Sequence, residues 1–311
     1  MSKLESENEK SARSMFGEEV IFYLQRKHAG GTSGAKGHKY EDIFAAVQIA
    51  DGARRFVENG VTITIEAQAP WFFVDDLVVR DESCDAMTCF QLKNSPGVSW
   101  HGGAHSIAED FTNQLRLSNA DGQKNVRLTL VVSDRQRAES LKAEIPVEIS
   151  ADTQVIWLPW EEKTSLLCEK WAGEFEAIGW LSKHAVPDVQ QLTEVLVILR
   201  AVWGDMKGPV AVSAVIEAAR TISPIMIRPL VADEALQGNI REDFTNALAK
   251  IENFSYSIVK GFFVWEFFSP NGASSRGVFR EDCLSDAFRG FQERVVRRQP
   301  ATLDEIEEEL L

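Results

Sequence analysis

The chain has no unbroken apolar run of about eighteen residues, the length a membrane-spanning helix needs. Cysteine is scarce, and Cys84, Cys89, Cys168 and Cys283 lie too far apart for the framework of a small disulfide-stapled domain. Basic charge is in deficit. Thirty-three Lys and Arg face 47 Asp and Glu, giving a net charge of −14. Such a balance argues against a passive coat on nucleic acid, whose affinity leans on Lys and Arg, but not against an enzyme that touches DNA locally. No Gly-x-Ser-x-Gly elbow is present for a Ser/His/Asp hydrolase. The Gly-rich stretch GGTSGAKGHK lacks the spacing of a phosphate-cradling Walker loop. The opening MSKLESENEKSARS is polar and of mixed charge, which fits neither a secretory signal nor a transit peptide. These absences lead us to expect a cytoplasmic protein with no membrane partner.

The chain does hold ample core material: 44% hydrophobic residues, with 18 Phe and 8 Trp. Its 311 residues suffice for one large domain or two ordinary ones. Two segments are locally basic. One runs from Arg26 to Lys39, with Lys27, His28, Lys36 and His38; the other is Arg289 to Arg298. A solvated face explains either. The second could equally meet DNA or the acidic stretch DEIEEELL. Cys84-x4-Cys89-x11-His101-x3-His105 approaches two-Cys, two-His zinc spacing. The stretch SPGVSWHGGAH reads as a loop, however, and provides no helix for the histidines, so no zinc site is expected.

Hydrophobic spacing predicts an amphipathic helix over 11–28, a Gly-rich basic break, and a second helix over 40–60 ending at Gly60. Strands follow in VTITIEAQ, WFFVDDLVVR and MTCFQLKN, then a helix over 106–117 and a strand in VRLTLVVSD. This order suggests an α/β domain with a mixed sheet. From about residue 160 the pattern is mainly helical, over 161–180, 186–203 and 243–251. It ends in the strand-like pair FSYSIVK and FFVWEFFS, a loosely winged-helix layout whose Phe and Trp we read as core. The expected division is an N-terminal helical arm over 1–29, a mixed-sheet domain over 30–158, and a mainly helical domain with a β-hairpin over 159–311.

The hairpin carries the chemistry. A turn centred between Ser83 and Cys84 sets Asp76 opposite Gln91, and opposed residues of an antiparallel pair share a face. Lys93, two residues beyond Gln91, shares it too. Leu77, Val79, Phe90 and Leu92 take the other face. A carboxylate, an amide and a lysine within apolar strands are costly unless paired or metal-bound. Two explanations stand. One is an Asp76–Lys93 ion pair at a strand end. The other is a cation on Asp76, with Lys93 orienting a water and meeting charge that grows on a phosphate.

Asp, then about fifteen residues, then Gln-x-Lys, after a helix with Glu in its first turn, resembles the PD-(D/E)XK nucleases in their Mrr-like form. More closely, GGTSGAKGHKYEDIFAA, ITIEAQAPWFFVDDLVV and FQLKN, in this order, resemble the double-stranded DNA endonuclease domain of bacterial anti-phage effectors. That domain occurs in CBASS effector nucleases and Lamassu nuclease subunits. The resemblance covers roughly residues 30–135 and implies a restriction-endonuclease-like fold. It implies Mg²⁺ or Mn²⁺ as cofactor, held by Asp76 rather than Asp75, by the Gln91 oxygen, by the Leu92 carbonyl and by Glu41. Lys93 would be the catalytic lysine. Glu66, on the neighbouring strand, is a further ligand candidate or else a surface acid. His101 and His105 lie in a loop that could border the DNA.

The resemblance further implies a Mg²⁺-dependent endonuclease on double-stranded DNA, the effector subunit of an anti-phage or anti-plasmid defence complex. The second half does not resemble the cyclic-nucleotide sensor of CBASS effectors. Control is therefore expected from partner subunits, an ATPase among the candidates, with the C-terminal domain docking or oligomerising. The other readings are a catalytically silent scaffold or DNA-binding subunit, and, last, a regulator using the winged-helix-like half.

Overall fold

The computed structural model describes residues 3–31, 35–102, 105–269 and 272–310, with side chains from Asn8 to His28 and, for nearly every described residue, from Lys39 onward. Residues 32–34 of the expected Gly-rich break, the Lys36 and His38 side chains, and Gly103 and Ala104 of the histidine loop lie outside the described set.

Helices α1 (Lys3–Phe16) and α2 (Glu18–Gly31) divide at Gly17, whose φ of 80° suits glycine. The single helix expected over 11–28 is thus two. They are also no loose arm. Ala12, Ile21 and Leu24 bury themselves against Phe73 and Leu117 in a core of their own.

Helix α3 (Ala35–Asn59) ends at Gly60, φ 69°. Then come β1 (Ile63–Ala67), β2 (Leu77–Asp81), β3 (Ala86–Lys93), α4 (Ile107–Ala120), β4 (Asn125–Val132), α5 (Arg135–Ala143) and β5 (Thr153–Trp157). Of the stretch WFFVDDLVVR only the second half is strand. Residues 68–76 form a loop, with Gln68 and Trp71 at positive φ. Helices α6 (Thr164–Trp171), α7 (Glu176–Leu181) and α8 (Val189–Asp205) follow, then the two-residue β6 (Val210–Ala211) and α9 (Val212–Ile222).

The six strands make one mixed sheet in the order β5-β4-β3-β2-β1-β6. β3, β4 and β5 run parallel to one another, and the remaining pairs are antiparallel. Period-two alternation loads both faces. Ile65, Leu77, Phe90, Leu92 and Val131 face one core, while Val78, Cys89, Leu128, Leu130 and Val132 face another.

The first of these cores corrects the expected domain boundary at 158/159. Ile43, Phe44 and Leu92 share it with Leu167, Phe175, Leu199, Val215 and Ile227. Helices α6 to α9 therefore cover the sheet, and β6 pairs with β1 through Thr64↔Ala211. The Tyr40 hydroxyl, buried in the same core, donates to the Leu158 carbonyl at 3.0 Å. An amphipathic helix must bury one face, and here the available face is the sheet.

A separate core lies beyond. Helices α10 (Asp233–Leu236), α11 (Glu242–Leu248), α12 (Asp286–Arg298) and α13 (Leu303–Leu310) surround β7 (Phe254–Val259), β8 (Phe262–Phe268) and β9 (Ser274–Asp282). The expected hairpin is a three-stranded antiparallel sheet, β7-β8-β9. Phe244, Phe263, Phe279, Phe288 and Phe291 fill the core. The basic segment of α12 meets the acidic stretch: Arg294 and Arg298 pair with Glu309. No helix among the described residues is long and apolar enough to cross a membrane.

Candidate functional site

The register Leu77↔Phe90 and Asp81↔Ala86 centres the hairpin between Ser83 and Cys84. Asp76, one residue before β2, therefore reaches across to the end of β3. Its Oδ2 accepts the Leu92 amide N–H at 2.7 Å and a short hydrogen bond from the Gln91 side-chain amide. The loop before Asp76 is pinned at both ends. Ala69 N donates to Asp75 O at 2.9 Å, and the buried Gln114 of α4 accepts the Phe73 N–H at 2.8 Å. Asp75 and Asp76 thus turn to opposite neighbours, Asp76 to β3 and Asp75 to α2.

Glu41 comes in from α3. Gln68 Nε2 bridges it to Asp76, at 3.2 Å from Glu41 Oε2 and 3.5 Å from Asp76 Oδ1. Burial first, and the Asp76 charge with it, lift the Glu41 carboxyl to about 7, against the pull of Lys93 and the Gln68 hydrogen bond. That rise is the mark of two carboxylates sharing one poorly solvated place. Lys93 shares its strand face with Gln91, and the two line an adjoining open cleft of about 640 Å³, whose wall includes neither Asp76 nor Glu41. No ion pair joins Lys93 to Asp76 among the described residues, so the strand-end pair is not what the structure shows.

Lys27, on α2, enters the cleft from the far side. Its ammonium meets Asp110 Oδ2 at 2.9 Å, Gln91 Oε1 at 3.3 Å, Asp75 Oδ1 at 3.4 Å and the Phe73 carbonyl. Burial opposes its charge, but Asp75 and Asp110 outweigh burial and raise its pKa above that of a free lysine. Burial lifts the Asp75 carboxyl well above the carboxylate range, against Lys27. Tyr23 donates to Asp110 at 2.8 Å, and its ring stacks on His105 with centroids 3.7 Å apart.

The expected residues Asp76, Gln91, Leu92 and Glu41 therefore meet, with Lys93 beside them. Gln91 differs from expectation in one respect. It turns its amide nitrogen to Asp76 and its oxygen to Lys27, so serving as an oxygen ligand beside Asp76 would cost both hydrogen bonds. Glu66 is not a surface acid. It is buried in an ion pair with Arg80 at 3.2 Å. His101 is exposed, and Cys84 and Cys89 divide between surface and core.

Lys27, Asp110 and Gln114 had no motif to announce them, and Gln68 stood within the stretch ITIEAQAPW with no role attached to it. Lys27 belonged only to a basic cluster, and its partner Asp110 lies 83 residues away.

The donors suit a hard cation such as Mg²⁺, which takes oxygen ligands. Asp76 and Glu41 offer carboxylates. The Lys93 carbonyl accepts from Ser133 on the β4 side at 3.4 Å, so by strand alternation the Leu92 carbonyl leaves toward Asp76. No group of three His, Cys, Asp or Glu side chains placed to hold a metal occurs among the described residues. The set here is two carboxylates and a carbonyl. No family model, curated protein or solved structure matches the chain.

Proposed function

We propose that this chain is a metal-dependent endonuclease of the PD-(D/E)XK type that hydrolyses double-stranded DNA. The observation that carries the reading is the meeting of Asp76 and Glu41 beside the Leu92 edge, within reach of the Lys93 charge, which acts on Glu41 and lines the adjoining open cleft with Gln91. The sheet supports a restriction-endonuclease-like fold. Antiparallel β1, β2 and β3 present the site, and α4 then carries the chain to parallel β4.

Asp76 is aimed by two hydrogen bonds, and Glu41 is tied to it by Gln68. Together with the Leu92 carbonyl they would hold Mg²⁺ or Mn²⁺. A bound ion would polarise the scissile phosphate and lower the pKa of an attacking water. Lys93 supplies a fixed positive charge at the cleft, where it orients that water and meets the charge growing on the phosphate. Arg26 on the cleft wall adds a cation for the DNA backbone.

The resemblance over residues 30–135 further supports the role of effector subunit in a bacterial anti-phage or anti-plasmid defence complex. Partner subunits, such as an ATPase, would control it through the C-terminal body. The test is plasmid cleavage with Mg²⁺ by wild type and Lys93→Ala, alone and with the proteins encoded beside it. Cutting that needs Mg²⁺ and disappears in Lys93→Ala is the expected result. No cutting by any pairing of folded proteins would overturn it in favour of a catalytically silent scaffold.

A further inference from the structure

Four oxygens from three separate parts of the chain surround the Lys27 ammonium: Asp75 Oδ1, Asp110 Oδ2, Gln91 Oε1 and the Phe73 carbonyl. Two carboxylates, an amide oxygen and a peptide carbonyl form the kind of donor set that holds a hard divalent cation. An ammonium suits it less well. It has three N–H donors for four oxygens, and a single positive charge for two carboxylates. The mismatch shows at Asp75, which is 2% exposed and whose Oδ1 receives no hydrogen bond. Tyr23 spends its hydroxyl on Asp110, which further fixes the cage.

The cage adjoins the proposed nuclease centre through one side chain. Gln91 gives its oxygen to Lys27 and its nitrogen to Asp76. We propose that Asp75, Asp110, Gln91 and the Phe73 carbonyl form a divalent-cation cage filled by the chain's own Lys27 ammonium. The centre then takes one free divalent ion, at Asp76 and Glu41, and α2 supplies the neighbouring positive charge. The cage stands on its own geometry. Only its part in catalysis rests on the nuclease reading.

Mn²⁺ binding measured by electron paramagnetic resonance tests this, with thermal melting read alongside. Wild type should bind one ion, lost in Asp76→Ala. Lys27→Met should melt lower without metal, regain stability with Mn²⁺, and bind one ion more than wild type. That extra ion should survive Asp76→Ala and vanish when Asp110→Asn is added. If wild type and Lys27→Met both bind a single ion that depends on Asp76, the cage is overturned and the metal site at Asp76 stands. If wild type binds none and Lys27→Met binds one that survives Asp76→Ala, the cage stands and the metal site at Asp76 falls. A Lys27→Met chain that stays unfolded in saturating Mn²⁺ overturns the proposal, as does a wild type that binds two ions.

Discussion

The carboxylate of Asp76 accepts the backbone N–H of Leu92 at 2.7 Å across 16 residues of chain. One side chain thus stands in for a missing rung of the β2–β3 ladder, and the same atom belongs to the proposed centre. Structure and chemistry are therefore separable here by choice of variant. Asp76→Ala strands the Leu92 N–H and should cost about 1–3 kcal/mol in urea unfolding as well as cleavage. Lys93→Ala removes a partly exposed side chain and should shift stability by no more than about 0.5 kcal/mol while abolishing cleavage. Equal loss of stability in the two would contradict the distinction.

The shared core predicts where the chain can be cut. Residues 1–231 retain the sheet, its six strands and both of its cores, and should fold with a cooperative melt. Residues 1–158 leave Ile43, Phe44 and Leu92 without Leu199, Val215 and Ile227, and should be insoluble or molten. A well-folded 1–158 fragment, judged by near-ultraviolet circular dichroism, would argue for the boundary expected from the sequence.

At the other end, α13 neutralises α12. Ile306 is fully buried, and Ile306→Ala should cost about 2–5 kcal/mol. Removing residues 300–311 frees Arg294 and Arg298 from Glu309. The shortened protein should bind heparin more strongly at low salt, with a steeper salt dependence than the full chain. Unchanged elution from a heparin column would count against that role for the helix.

Lys260 yields a pH prediction. Its ammonium donates to the Gly179 and His184 carbonyls, and burial, with Arg228 nearby, lowers its pKa to about 8. The folded chain gives up this proton before the unfolded chain does. The contribution is therefore full above the ordinary lysine value of 10.5 and is lost as pH falls through about 8. Between pH 8 and 10 the melting temperature of wild type should rise relative to Lys260→Met. Parallel curves would show that Lys260 titrates normally.

The hairpin geometry was legible because a strand's side chains alternate with period two. Counting from one turn is enough to bring Asp76, Gln91 and Lys93 together. Lys27 and Asp110 escaped because a helix reveals which face is buried but not against what. The same limit hid the burial of α6 to α9 on the sheet. β6 is two residues long, too short for any periodicity, and β9 begins with Ser-Ser-Arg-Gly, which carries no apolar alternation. Gln68 holds its place through a φ of 48° in a loop that no spacing rule describes.

The core that Ile227 completes also sets an order of events during synthesis. Asp76, Gln91 and Lys93 leave the ribosome early, but the sheet beneath them has no finished floor until α8, β6 and α9 have followed. Domains fold as units as they emerge. A half-translated copy therefore carries the side chains of the proposed centre without the scaffold that aims them, and their assembly is deferred to the far side of residue 227.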